Sequence, residues 1–434
     1  MENINNIYWG IPFCLLLLVL TIAPIVITEI WQKHLGKIMV GLSLSLILPY
    51  YYFYGAEPAR YFLLECITHD YIPFLSVVGA LYIVSSNINI ILPYGGKPLS
   101  NTIILLCGTF LSSIMGTMGA SSILIRPLIE VNKHRRYIAH IFIFFIFLIS
   151  NIGGCFSTLG DPPIFLGYIN GLPFSWATIN LFAPTICVTS ILLTIFYIYE
   201  SFVYKYETTV SELPKKFILQ GGWNILLAIL IPIVLLMTEL SHIDTSFKIQ
   251  EVEVGLKNII RDIALIVIGL ISYFFTKNPK EDYLEPIKEL SKVFFGVIVT
   301  IYPLMAMFKN GKNGPFADVM NLLDNGIITK NESYFWLSGI FSVLLDNAPT
   351  YLVFFSSLGA SPEVLSTSMS KTLVAISISS VYFGALSYIG NSPNYMVKSV
   401  LEQYNIKMPG FFTYILIACV ILLPIFALVS KIFI

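Results

Sequence analysis

The sequence predicts an all-α polytopic membrane protein, built as an inverted-topology repeat with two re-entrant hairpins, two broken transmembrane helices and about ten crossings. Three observations predict it. Of 434 residues, 56% are hydrophobic and 12% charged, and the mean hydropathy is +0.80; soluble domains carry roughly 25% charged residues. Apolar runs long enough to cross a bilayer recur along the whole chain. Four such stretches are interrupted by glycine, proline and polar side chains, at a depth where an unbroken helix is the rule.

Composition also excludes functions. Twenty-five cations balance twenty-five anions and the pI is near 6.9, which leaves no basic surface for nucleic acid. The six cysteines, at 14, 66, 107, 155, 187 and 419, show no Cys-x-x-Cys spacing and read as small hydrophobes, not as a disulfide framework or a zinc site. No His-Glu-x-x-His, Gly-x-Ser-x-Gly or phosphate loop is present, so neither an enzyme nor a cofactor is implied. The apolar Ile11–Ile27 lacks a preceding basic region and reads as a first span, not a signal peptide.

Taken in order, the crossings fall at 11–28, 36–54, 71–92, 138–171, 174–199, 222–240, 259–276, 292–308, 370–404 and 411–433. Two of them are broken. In 138–171, Gly153, Gly154, Gly160, Pro162 and Pro163 fall within eleven residues, which lowers helix propensity and removes two backbone donors. In 370–404, Gly390 and Pro393 do the same. Two further stretches are apolar yet interrupted near their middles: 101–129 by Gly116-Thr-Met-Gly-Ala-Ser-Ser122, and 334–358 by Asp346-Asn-Ala-Pro-Thr350, which contains Pro349. Each reads as a hairpin whose polar tip stops at mid-membrane; an ordinary span with a helical kink is the alternative for each. With the N-terminus outside, the inside loops hold thirteen cations, among them Arg135, Lys215, Lys277 and Lys280, and the outside loops seven, among them Lys312. The excess sets the orientation.

Opposed hairpins suggest an internal repeat. Gly119 to Gly160 spans 41 residues and Asp346 to Gly390 spans 44, and Gly160-Asp-Pro-Pro163 aligns with Gly390-Asn-Ser-Pro393. The halves are then 1–199 and 222–434, joined by a polar cytoplasmic linker at 200–221.

Candidate site residues follow from the breaks. Unwound backbone at membrane depth lines protein or a polar cavity, and a mid-membrane aspartate costs about 2.5–3.5 kcal/mol on insertion scales. Asp161 falls in the first half-site and Asp346 in the second. Around them stand neutral oxygen donors: Asn151, Ser157, Thr158, Ser121 and Ser122 in the first half, and Asn347, Thr350, Asn391, Ser392 and Asn394 in the second. Hard monovalent cations prefer such oxygens, so the expected ligand is Na⁺ at the Asp161 and Asp346 half-sites. Asp161 before Pro162 also fits a helix cap, but a serine would cap without the cost of charge. Asn87 and Asn89 read as cavity-lining groups, and His140 as an interfacial histidine or a proton relay.

These motifs carry a resemblance. The hairpin tips Gly119-Ala-Ser-Ser122 and Asp346-Asn-Ala-Pro-Thr350, with the breaks Gly160-Asp-Pro-Pro163 and Gly390-Asn-Ser-Pro-Asn394, resemble the ion transporter superfamily of citrate and dicarboxylate carriers, arsenite permeases and NhaD-type sodium/proton antiporters. Most of the chain is covered, and it is similar to a citrate-transporter-like domain. The sequence departs from the dicarboxylate carriers at both tips and places aspartate at 161 and 346, where those carriers are neutral; Asn151-Ile-Gly-Gly154 and Leu345-Asp-Asn-Ala-Pro349 resemble the NhaD-type antiporters more closely. The resemblance implies alternating access in the cell inner membrane and a homodimer.

Three functions are consistent with the residues. Exchange of Na⁺ or Li⁺ for protons is favoured, because one buried carboxylate holds either ion and their competition couples the fluxes. A Na⁺- or H⁺-coupled symporter of citrate or another organic anion fits the fold, although two aspartates repel a polyanion. An intramembrane aspartyl protease is the remote alternative, since Leu159-Gly-Asp161 partly resembles that family's Gly-x-Gly-Asp, but no Tyr-Asp partner is present.

Overall fold

The computed structural model describes residues 6–93, 95–207, 216–243, 245–275, 284–309, 314–318 and 329–434. Residues 208–215 of the expected linker and the cations Lys215, Lys277, Lys280 and Lys312 lie outside the described residues. Among the described residues, nine helical segments are long and apolar enough to cross a membrane. The chain is an all-α polytopic membrane protein.

Helices α1 (Ile11–Val26) and α2 (Thr28–Tyr54) are followed by α3 (Ala56–Glu65), a π-helical turn at Cys66–Tyr71 and α4 (Ile72–Ser86). A short strand β1 (Asn89–Ile91) then leads to α5 (Pro98–Asn132). At thirty-five residues α5 would be about 52 Å long if straight. It is not straight. Gly116 sits at φ 76°, ψ 154°, a conformation open essentially to glycine alone, and the helix doubles back there. Near its two ends Asn101 and Asn132 exchange side-chain hydrogen bonds at 3.0 Å, which only a hairpin permits. The re-entrant reading of 101–129 therefore holds over the kinked span.

Next come α6 (Ala139–Leu148), a 3₁₀ turn at Ile152–Phe156, α7 (Pro162–Ile169) and the long α8 (Phe174–Tyr204). Helix α8 carries the chain into the first five residues of the expected linker. Strand β2 (Ile218–Gln220) pairs antiparallel with β1, Asn89 opposite Gln220, and α9 (Gly222–Leu240), the hairpin of β3 (Ser246–Ile249) and β4 (Val252–Gly255), α10 (Leu256–Phe275) and α11 (Glu285–Lys309) follow.

The second hairpin is α12 (Lys330–Leu344) and α13 (Asn347–Ser357), turned at Leu345 and Asp346; the Phe354 ring meets both Tyr334 and Phe341, at 6.4 and 5.8 Å between centroids. After the short α14 (Pro362–Ser366) come α15 (Ser370–Gly384), the second break, α16 (Ser392–Gln403) and α17 (Phe411–Phe433). Helices α6 and α15 are buried on every side from Ile141 to Leu148 and from Thr372 to Gly384, as sequences apolar or small all round require. Each delivers the chain to a break in the protein interior, where unwound backbone finds partners other than lipid.

Candidate functional site

The two breaks are closed by matching bonds. The N–H of Thr117 in the first hairpin donates to Gly160 O at 2.8 Å, and the N–H of Asn347 in the second donates to Gly390 O at 3.2 Å. The Ser157 hydroxyl donates to Ser113 O, and the Ser387 hydroxyl to Val343 O at 2.7 Å. Leu159 N–H bonds Ser157 Oγ at 3.1 Å, and Ile389 N–H bonds Ser387 Oγ at 3.2 Å. Every pair is 230 positions apart, as 117 is from 347 and 160 from 390. Gly116 to Gly160 and Asp346 to Gly390 are both 44 residues, so the tip that matches Asp346 is Gly116, not Gly119. Glycine is required at the crossing: a Cβ on Gly160 would lie 2.1 Å from Gly154 O, and one on Gly390 2.7 Å from Gly384 O.

Four helical segments begin at one place. The second arm of α5 starts at Thr117, α7 at Pro162, α13 at Asn347 and α16 at Ser392, and residues at each start line one cavity of about 50 Å³. The facing wall is apolar, with Phe74 and Leu81 from α4 and Phe294 and Val297 from α11; Phe74 and Phe294 stack at 3.4 Å. A helix N-terminus carries roughly half a positive charge, so four of them together offset about two negative charges. The cavity is lined by two carboxylates, Asp161 and Asp346, and by no lysine, arginine or histidine among the described residues. The two half-sites expected from the sequence are thus one cavity.

Asp161 is 1% exposed and occupies the N-cap position of α7, yet its side chain bonds none of that helix's N–H groups. Its Oδ1 accepts from the Thr117 hydroxyl at 2.5 Å and from Asn391 Nδ2 at 3.2 Å, and its Oδ2 accepts from Asn347 Nδ2. Donors from both hairpins and the second break hold it. Asp346 does act as a cap, its Oδ1 accepting from Ala348 N–H at 3.3 Å; its Oδ2 accepts from the Ser392 hydroxyl at 3.1 Å. Asn347 Oδ1 is buried and finds no partner among the described residues, an unmet acceptor beside two carboxylates. Such oxygens suit a small cation.

The remaining expected ligands divide. Asn391 and Ser392 line the cavity. Asn151 lies behind it, donating to Ile146 O at 2.8 Å and Asn394 Oδ1 at 2.7 Å, while Asn394 donates to Gly384 O and Ser387 O. These two amides satisfy the carbonyls that the breaks set free. Ser157 and Thr158 likewise bond backbone, Thr158 reaching Phe174 O at 2.5 Å, and Thr350 bonds Asp346 O at 3.2 Å. Ser121 pairs with Ser150 at 2.9 Å, and neither Ser121 nor Ser122 reaches the cavity. The residue missed at the first tip is Thr117, which the 44-residue spacing of the second half would have marked. Asn87 and Asn89 are also displaced: Asn87 bonds Ser272 Oγ at 3.0 Å and Asn89 bonds Gln220 at 3.2 Å, pinning α4 to α10 and β1 to β2.

A second charged cluster lies at the open end of the first hairpin. Arg135, 8% exposed, makes a two-pronged ion pair with the fully buried Glu200 of α8; His140 Nε2 is 2.6 Å from Glu200 Oε2, and Asn101 Nδ2 donates to Glu200 Oε1 at 2.8 Å. Arg135 also donates to Gly96 O at 2.9 Å. It sits in a loop as expected, but it clamps α5, α6 and α8 together and is not a solvated cation. His140 is a member of that clamp.

A multi-pass helical bundle in which broken helices and hairpin tips enclose two carboxylates is the architecture of a secondary transporter. The profile of a transport family described as "Putative citrate transport" matches residues 2–434. The chain belongs to that family. No curated protein matches it.

Proposed function

We propose that this protein exchanges Na⁺ or Li⁺ for protons by alternating access about the Asp161 and Asp346 cavity. The carrying observation is the cavity itself, about 50 Å³ in volume, lined by two carboxylates and by no cationic side chain among the described residues. Organic ligands usually take roughly 300–1,000 Å³. The four helix N-termini, which would attract an anionic substrate, share the cavity with the protein's own carboxylates. A carboxylate holds either a proton or a hard cation, so each ion displaces the other.

The hydrogen bonds recurring at 230 positions support an inverted repeat with halves 1–199 and 222–434 joined at 200–221. Alternating access then amounts to the two halves exchanging which side of the cavity opens. Symport of an organic anion is the second reading, favoured by the family's description. Sealed vesicles with an imposed pH gradient separate the two: Na⁺ or Li⁺, but not K⁺ or citrate, is expected to collapse the gradient. Citrate uptake with no cation-driven proton movement reverses the order of the readings.

A further inference from the structure

On the alternating access just proposed, we infer that the cavity opens toward the face that carries the 200–221 linker and is held shut on the opposite face by a latch, in which α9 and α10 grip the exit of the first break at Tyr168 and Phe174. Equivalent places of the two breaks carry this. Helix α7 leads to the face opposite the linker, since α8 crosses between them; α16 leads to the linker face, since α9, α10, α11 and the broken α15–α16 return the chain there. Phe165 of α7 is 2% exposed, and its counterpart 230 positions on, Tyr395 of α16, is 47% exposed. From Pro163 to Gly167 every residue of α7 is buried, whereas α16 is buried only at Pro393, Asn394, Val397 and Leu401. A repeat closed at both faces would bury the two alike. On α11 the cavity wall runs from Leu290 to Val297, in the half of that helix nearer the linker face.

Polar atoms fasten the closed face. Glu239, at the end of α9, accepts the Phe174 N–H at 3.0 Å, one of the donors that the start of α8 leaves without an intrahelical partner. The Tyr168 hydroxyl donates to Leu235 O at 3.5 Å and lies beside Arg261 of α10. Arg261 is 5% exposed and donates to Asp262 at 2.8 Å, which accepts in turn from Ser76 of α4 at 3.2 Å. Helices α4, α9 and α10 are thus tied together where the exit of the first break meets them. At the linker face Lys398, the counterpart of Tyr168, turns to its own half, 3.6 Å from Glu402 and 5.0 Å above the Tyr388 ring. Opening the closed face requires the Glu239 and Tyr168 bonds to part, so the latch sets the balance between the two states.

The test uses cysteine-free protein in sealed vesicles of either orientation, with a membrane-impermeant maleimide added to one side at a time. Tyr395→Cys is expected to be labelled rapidly from the linker face. Phe165→Cys is expected to be labelled slowly from the opposite face, at a rate that follows the population in which that face is open. Glu239→Ala is expected to raise the Phe165→Cys rate roughly two- to tenfold, as the loss of one hydrogen bond does. Glu239→Gln, which keeps an acceptor oxygen, is expected to leave it unchanged, and Tyr168→Phe gives a smaller rise that decides the matter if Glu239→Ala fails to fold. Ser175→Cys and Glu239→Cys, joined by a short reducible thiol linker, are expected to abolish Na⁺-driven proton movement until the linker is reduced, with Tyr395→Cys still labelled from the linker face. Wild-type transport in the linked protein overturns the latch, as does labelling of Tyr395→Cys only from the opposite face, or a Phe165→Cys rate that neither Glu239→Ala nor Tyr168→Phe moves. Wild type without any Na⁺-driven proton movement defeats the exchange reading instead, and the labelling rates, which need no transported ion, then decide the latch by themselves.

Discussion

Asp161 and Asn391 occupy equivalent places in the two breaks, 230 positions apart, and they touch: the Asn391 amide donates to Asp161 Oδ1 at 3.2 Å. One break thus supplies the charge and the other the donor that steadies it. In Asn391→Asp two carboxylates would share that contact and hold a proton between them. Exchange is expected to begin at least about one pH unit more alkaline than in wild type, measured as the pH dependence of Na⁺-driven proton movement. An unchanged profile would show that 391 does not sense the charge at 161.

The two hydroxyl candidates at the first tip separate in the same assay. Thr117 donates to Asp161, and a hydrogen bond to a charged group is worth about 1.5–3 kcal/mol, so Thr117→Val is expected to weaken Na⁺ binding roughly ten- to hundredfold. Ser121 pairs with Ser150 away from the cavity, so Ser121→Ala is expected to keep wild-type affinity.

The crossing at Gly160 tolerates no side chain. A Cβ there would lie 2.1 Å from the Gly154 carbonyl oxygen, and backbone on both sides leaves nothing free to move. Gly160→Ala is expected to lower the melting temperature in detergent sharply, or to abolish folded yield, with overpacking of about 1–3 kcal/mol as a lower bound. Gly116→Ala, which needs only a strained φ of 76°, is expected to cost about 1–3 kcal/mol and to remain foldable.

The clamp at the open end of the first hairpin gives a stability prediction. Removing the charge of Glu200 strips the buried Arg135 of its two-pronged partner and leaves it only the Glu207 carboxylate, 3.6 Å from its Nε, an effect of up to about 3–5 kcal/mol. Glu200→Gln is expected to lower the melting temperature strongly, and Arg135→Gln combined with it to recover part of the loss. Equal melting of the single and double variants would refute the coupling.

Orientation is testable from two turns. The cation excess places the end of α8 inside and the β3–β4 turn outside. In a cysteine-free background, Tyr206→Cys is expected to be labelled from the cytoplasmic face and Gln250→Cys from the opposite face. Labelling in the reverse sense at both positions would invert the topology.

The sequence by itself determined the helical membrane class, both hairpins, both breaks and the two aspartates. Each is a local violation: glycine and proline inside an apolar run, or a charge at membrane depth, costs free energy wherever the chain goes, so it is legible without a partner. Only the tertiary structure decided what those violations meet. That Asp161 and Asp346 line one cavity, that Thr117 serves it while Ser121 and Ser122 do not, and that Asn151 and Asn394 support the break from behind all depend on residues up to 243 positions apart. Arg135 shows the same limit. In the sequence it is one loop cation among thirteen, and only the approach of α8 makes it the partner of a fully buried Glu200, because burial and pairing are properties of packing between helices and leave no periodicity in the chain.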